Sequence, residues 1–365
     1  MSKKKAMTVL GPIDVENLGF TSMHEHVTFQ GAVLGKRLGA AIPKDCNVPL
    51  NPKDKVSLGN AGLLLYNSIM SWDALIQDDE DIMVGECEDF KNTGGNTILE
   101  VSVPGIQLDT AMIGRISKRS GVNIIVSTGF YTWDSWPEEF RGQDIQFYRD
   151  HMLNEIKNGV QGTDIKPGCL KIALNDLNEM EENALRAAAQ VSNETGMPLN
   201  IHPCSKIGGD RLRVLDMLLK EGMDPGRIVF SHAPLVERPT DFRTVIDHPE
   251  LIKVNTEMEE RLMDKGVYCN VEFCNPLGFE MMHRYKLGDL HRMSGLYQLI
   301  NKGYASNLTL GADVCGRTML RRCGALGYLR LTTFVIPTLR DVAGVSDYAI
   351  RQMTVVNPAR ALAFC

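Results

Sequence analysis

An eight-stranded parallel (β/α)8 barrel is the fold this sequence predicts, and three observations predict it. Eight short apolar or β-branched segments recur along the chain. Helical patterns fall between successive members, which implies crossovers and therefore parallel strands. Residues of metal-ligand type stand at the ends of several segments, the place where barrels of this kind carry their chemistry. With insertions, one barrel accounts for all 365 residues, so 1–365 is expected to be a single unit with its core over about 11–362.

In order, Ala6 to Leu18 holds two short apolar runs broken by Gly11-Pro12, a small hairpin expected over the closed end of the barrel. The first barrel strand is Phe20 to Val27. A long loop follows, Gln30 to Asp78, rich in Gly, Pro, Asn and Lys, with some helix around Leu63 to Ile69 and a place over the site. Asp79-Glu80-Asp81 opens a helix running to about Asn92, ahead of the strand Thr97 to Val101. The remaining strands are Asn123 to Thr128, Cys169 to Leu174, Leu199 to His202, Arg227 to His232, Val267 to Phe273 and Leu308 to Asp313. Glu181 to Glu194 and Arg211 to Glu221 are the clearest helices between them. The connection from Ala233 to Gly266 and the tail after Asp313 are longer than their siblings.

Hydrophobic content of 44% and charged content of 23% describe an ordinary globular enzyme. A net charge of -6 argues against nucleic acid or an anionic membrane as partner, since both require clustered positive charge. No stretch has the length and apolarity of a membrane span or a secretory signal, so a cytoplasmic location is expected. The 9 cysteines are odd in number and scattered, which suggests reduced thiols rather than a disulfide framework.

His24 and His26, two positions apart on an extended segment, project from one face and can hold one ion together. His202, His232 and Asp313 end the fifth, sixth and eighth strands, and Lys171 lies inside the fourth. His151, His248, His283 and His291 fall in helical or loop patterns and read as exposed or capping residues. Two divalent ions among four neutral imidazoles and one carboxylate leave excess positive charge, which a lysine ammonium would worsen. Carboxylation of the Lys171 amine would convert it into a bridging anion. A lysine with its stem buried and its head reaching solvent is the alternative.

Taken together, these residues resemble the phosphotriesterase family of the amidohydrolase superfamily. The likeness is carried by Gly19-Phe20-Thr21-Ser22-Met23-His24-Glu25-His26, Thr97-Ile98-Leu99-Glu100-Val101, Pro104-Gly105-Ile106 and Ser127-Thr128-Gly129-Phe130-Tyr131. Lys171-Ile172, Ile201-His202, Ser231-His232, Asp313 and Val356-Asn357-Pro358-Ala359-Arg360 continue it. The resemblance implies a TIM (β/α)8 barrel around two divalent ions, zinc first, with manganese, cobalt or iron(II) as alternatives, bridged by carboxylated Lys171. It assigns His24, His26 and Asp313 to the more buried ion, His202 and His232 to the more exposed one, and to Asp313 the proton of the attacking water. A homodimer is also implied.

Glu100 is expected to hydrogen-bond a ligand imidazole, or else simply to satisfy backbone groups. Tyr131, Trp133, Glu272, Cys315 and Arg317 are the candidate substrate-binding residues, with ordinary rim packing as the alternative for the aromatics. The lactonase group often carries an arginine just after the seventh strand, and Val271-Glu272-Phe273-Cys274-Asn275-Pro276 has none. The expected activity is hydrolysis of a small carboxylic ester, lactone or amide. The alternatives are an organophosphate triesterase and, in another class, a non-catalytic ligand-binding barrel.

Overall fold

The computed structural model describes residues 4–31, 33, 50–66, 68–203, 211–239, 241–274, 279–280, 284–285 and 288–364. The expected positions Asn275, Pro276 and His283, and most of the first half of the long loop, lie outside these.

Among the described residues, eight strand positions form the barrel: Thr21–Glu25, Thr97–Glu100, a third in two pieces (Asn123–Ile125 and Ser127–Phe130), Cys169–Ala173, Leu199–His202, Ile228–Phe230, Tyr268–Glu272 and Leu308–Gly311. Every ladder between neighbouring members is parallel. Strand eight meets strand one where the Asp313 amide donates to the His24 carbonyl at 3.0 Å. A glycine eases that approach: a Cβ at Gly311 would lie 3.0 Å from both the Cβ and the carbonyl oxygen of His24.

Two departures from a regular ladder bear on the site. The third strand, expected to be continuous, breaks at Val126, so that its first piece pairs with strand two and its second with strand four. Gly129 in the second piece has φ +138° and runs so close to Lys171 that an added Cβ would meet its carbonyl oxygen. In the first strand, Ser22 pairs with Ile98 but Glu25 with Glu100. One extra residue is therefore accommodated between them, a bulge of the kind that re-aims side chains beside active sites.

The helices follow their sequence signals. Asp79, Asp109, Asp144 and Asn178 each accept a backbone N–H at a helix start, opening Glu80–Asn92, Thr110–Ser120, Ile145–Asn158 and Glu179–Thr195. Their apolar faces, with those of the strands, form one large buried cluster. The hairpin Lys5–Thr8/Gly11–Asp14 caps the barrel's N-terminal end, with the Val9 amide donating to the Ile124 carbonyl at 2.8 Å. In the long loop a short helix, Ala61–Tyr66, overlaps the expected one, and Phe29–Gln30 pairs with Ile76–Gln77. No described helix is long and apolar enough to cross a membrane.

Candidate metal centre

At the C-terminal mouth His24 and His26 come together with ring centroids 5.8 Å apart. His24 lies 4.7 Å from His232, which lies 4.4 Å from His202. Asp313 Oδ1 is 3.6 Å from His24 Nε2 and 3.4 Å from His26 Nε2. Lys171, 1% exposed, points into the barrel and donates to Asn200 Oδ1 at 2.7 Å. The six residues expected as ligands thus all belong to this one mouth and its floor.

Hydrogen bonds set the tautomers of the two histidines of the first strand. Ser231 Oγ donates its only proton to Asn200 Oδ1 at 3.0 Å, so its 2.8 Å bond to His24 Nδ1 is one it accepts. Likewise Ser102 Oγ donates to the Thr28 carbonyl at 3.0 Å and accepts from His26 Nδ1 at 2.8 Å. Both rings then carry the proton on Nδ1 and turn an Nε2 lone pair toward Asp313. Two lone pairs facing a carboxylate oxygen repel unless a cation sits among them. Burial also holds the His24 and His232 imidazoles well below their usual range, keeping them neutral. His232 Nε2 is buried with no hydrogen-bond partner. Neutral imidazole nitrogens, a carboxylate and an orphaned buried nitrogen are a donor set that fits divalent zinc-like ions.

A second grouping, His24, His232 and Glu272, is also close enough to hold an ion. Glu272 suits that role less well. It is 2% exposed, and its oxygens already accept the His232 amide at 2.7 Å and Asn270 Nδ2 at 2.6 Å. Burial pushes its carboxyl up to about 7. Burial likewise lowers the Lys171 ammonium to about 8 against the pull of Asp313 and Glu272.

A model of the phosphotriesterase family matches residues 4–362. The chain belongs to the phosphotriesterase family. Among curated relatives, an N-acetyltaurine hydrolase of Xenopus tropicalis is 26% identical, the alignment covering 99% of this chain and 98% of the relative. A phosphotriesterase-related protein of Nematostella vectensis is 27% identical, with 100% of both chains covered. Among solved structures, a resiniferatoxin-binding protein from Rhodobacter sphaeroides superposes with a TM-score of 0.84 at 26% identity over 99% of this chain and 95% of that one. A lactonase from Listeria monocytogenes shares the fold, with a TM-score of 0.75 at 19% identity over 99% and 100%. The family is metal-dependent and the chain is a hydrolase of it.

Other expected site residues separate into two groups. Tyr131 stands 5.8 Å from His202, ring centroid to ring centroid, and packs with Cys315 against Phe29, Val33 and Ile106. With Phe29 5.0 Å from His26, these side chains form an apolar wall beside the histidines. Trp133, Glu272 and Arg317 each have polar partners within the protein. Trp133 Nε1 donates to Asp176 at 3.1 Å, joining the loops after strands three and four. Glu272 is turned inward, as above. Arg317 binds Asp78 at 2.7 Å and the Asp73 carbonyl at 3.3 Å, so its charge fastens the long loop.

Glu100 reaches a ligand imidazole only at one remove. It accepts the Val27 and Ser102 amides, and the Ser102 hydroxyl makes the bond to His26. Ser102, Asn200 and Ser231 were not singled out by sequence reasoning. The only signal for Ser231 was its place directly before His232 in the family-like pair.

Proposed function

We propose that this protein is a binuclear metal-dependent hydrolase that cleaves a small N-acyl amide, with lactones and carboxylic esters as chemically equivalent substrates. The observation that carries this reading is the pair of Nε2 lone pairs on His24 and His26 directed at Asp313 Oδ1. His24, His26 and Asp313 would hold one ion, and His202 and His232 the other. Lys171, carboxylated on its buried amine, would bridge them. Bound there, divalent ions supply Lewis acidity, acidifying water and polarising the scissile carbonyl.

The chain's own residues do the rest. Asp313, its side chain 15% exposed, takes a proton from the attacking water and returns it to the leaving nitrogen. The Ser102 and Ser231 hydroxyls keep the imidazoles in the ligating tautomer throughout. Phe29, Ile106, Tyr131 and Cys315 offer an apolar wall to the acyl group and keep bulk water from that side. The amide preference is supported by the relatives named for hydrolysis of N-acetyltaurine. A second reading, phosphotriester cleavage, draws on the family itself, since the same centre would polarise a phosphoryl oxygen.

Metal analysis of the purified protein, followed by a screen across N-acetylated amino acids and aminosulfonates, lactones, aryl esters and paraoxon, tests the reading. Two equivalents of divalent metal and hydrolysis of an N-acyl amide are expected. Full metal content and full activity in both Lys171→Ala and Asp313→Asn would refute it.

A further inference from the structure

Asp313 has φ +49°, in the left-handed region that an L-residue enters at a cost. Three consecutive amides around it are gripped from the first strand. The Ala312 N–H donates to Glu25 Oε1 at 2.8 Å, the Asp313 N–H to the His24 carbonyl at 3.0 Å, and the Val314 N–H to Glu25 Oε2 at 3.0 Å. Glu25 is fully buried and receives one further donor, the Ser22 hydroxyl at 2.5 Å on Oε1. It lies between His24 and His26 in sequence, yet strand alternation sends its side chain away from theirs, toward the backbone of the eighth strand. One carboxylate thus straddles the residue whose own carboxylate faces both histidines. The other positive-φ histidine of the mouth, His232 at +54°, is held differently, its own amide donating to a single oxygen of Glu272.

From this geometry we infer that Glu25 is a positioning residue: its two oxygens hold the Ala312 and Val314 amides and so lock Asp313 in the left-handed conformation that presents its carboxylate to the metal centre. The inference rests on the metal-centre reading above. A glutamine at 25 keeps one carbonyl oxygen for two amides and turns an NH2 group against the other, so the segment 312–314 relaxes away from the conformation that aims Asp313.

The experiment titrates Co2+ alone into the metal-free full-length chain, reading affinity and the visible spectrum, which reports coordination geometry independently of turnover. Glu25→Gln is expected to weaken one of the two sites about 10- to 100-fold and to change its absorption bands. Glu86→Gln is the control. Glu86 grips the Arg321 and Arg322 amides at 3.0 Å each in the same way, away from the mouth, and the variant is expected to bind Co2+ as wild type does. Asp313→Gly tolerates positive φ and has no carboxylate to aim, so adding Glu25→Gln to it should weaken binding less than about twofold further. If Glu25→Gln does not fold, Ser22→Ala removes one donor from the same carboxylate and should weaken Co2+ about 2- to 10-fold.

Wild-type affinity and spectrum in Glu25→Gln, or in Ser22→Ala where that stands in, overturn the inference. So does an equal loss in Glu86→Gln, or full additivity in the Asp313→Gly background. Absence of any Co2+ binding by the wild-type chain overturns the functional reading and this inference with it, which separates the two failures.

Discussion

At the scale of single residues, a metal ligand is only as good as the proton it lacks. His24 and His26 could each ligate or merely hydrogen-bond, and what decides is a hydroxyl whose one proton is spent on an Asn200 or Thr28 oxygen. Ser231→Ala and Ser102→Ala should therefore each lower zinc affinity about 10- to 100-fold, as read by chelator competition, and each strands one buried imidazole N–H, so a loss of about 1–2 kcal/mol is expected in urea unfolding. Unchanged zinc affinity in both would mean that the tautomers are set by something else. These serines could not be found in the sequence. Ser102 lies 76 positions from His26 and Ser231 207 from His24, so only the closed barrel brings them together. The ligands themselves were legible because strand ends converge in such a barrel wherever they fall in the chain.

At the scale of elements, buried carboxylates knit the loops to the strand ends. Glu181, in the first turn of the helix Glu179–Thr195, accepts the Asn175, Asp176 and Leu177 amides at 2.7–3.0 Å, and Leu177 has φ +50°. Burial raises its carboxyl above the usual range, against the pull of the loop amides that donate to it. Glu181→Ala takes the acceptor from these three amides and from that of Trp133, and a loss of about 3 kcal/mol is expected in chemical denaturation. Asn178→Ala, which removes only the cap of the same helix, should cost about 1 kcal/mol. Equal effects from the two would contradict this ranking. The helix start at Asp79 was legible in the sequence, whereas Asn178 was not read as a cap and its helix was expected only from Glu181. The break in strand three was not legible, because it depends on Gly129 approaching the Lys171 carbonyl across the sheet. The Arg317 contact was not legible for a similar reason: its partner Asp78 is 239 positions away.

At the scale of the molecule, acids are buried both inside the barrel, as Glu25, Glu100 and Glu272 are, and beneath its helices. Glu259, 1% exposed, shows the consequence away from the centre. Burial raises its carboxyl above the usual 4.5, and the nearest cation, Arg211, is 4.0 Å away. A carboxyl raised in the folded state binds more protons folded than unfolded. Its favourable contribution is thus fully present below about pH 4.5 and is lost as pH rises through the folded value. Glu259→Gln removes that loss, so the stability of the variant relative to wild type should rise as pH is raised above about 4.5 in urea titrations. A relative fall over that range would contradict the sign.

The same barrel gathers four histidines, a lysine and an aspartate at one mouth, and the central claim is that they do so around a pair of cations. Diffraction from zinc-loaded crystals, collected on both sides of the zinc absorption edge, tests this most directly. Two anomalous peaks are expected, one among His24, His26 and Asp313 and the other beside His202 and His232. A map without peaks there would contradict the account.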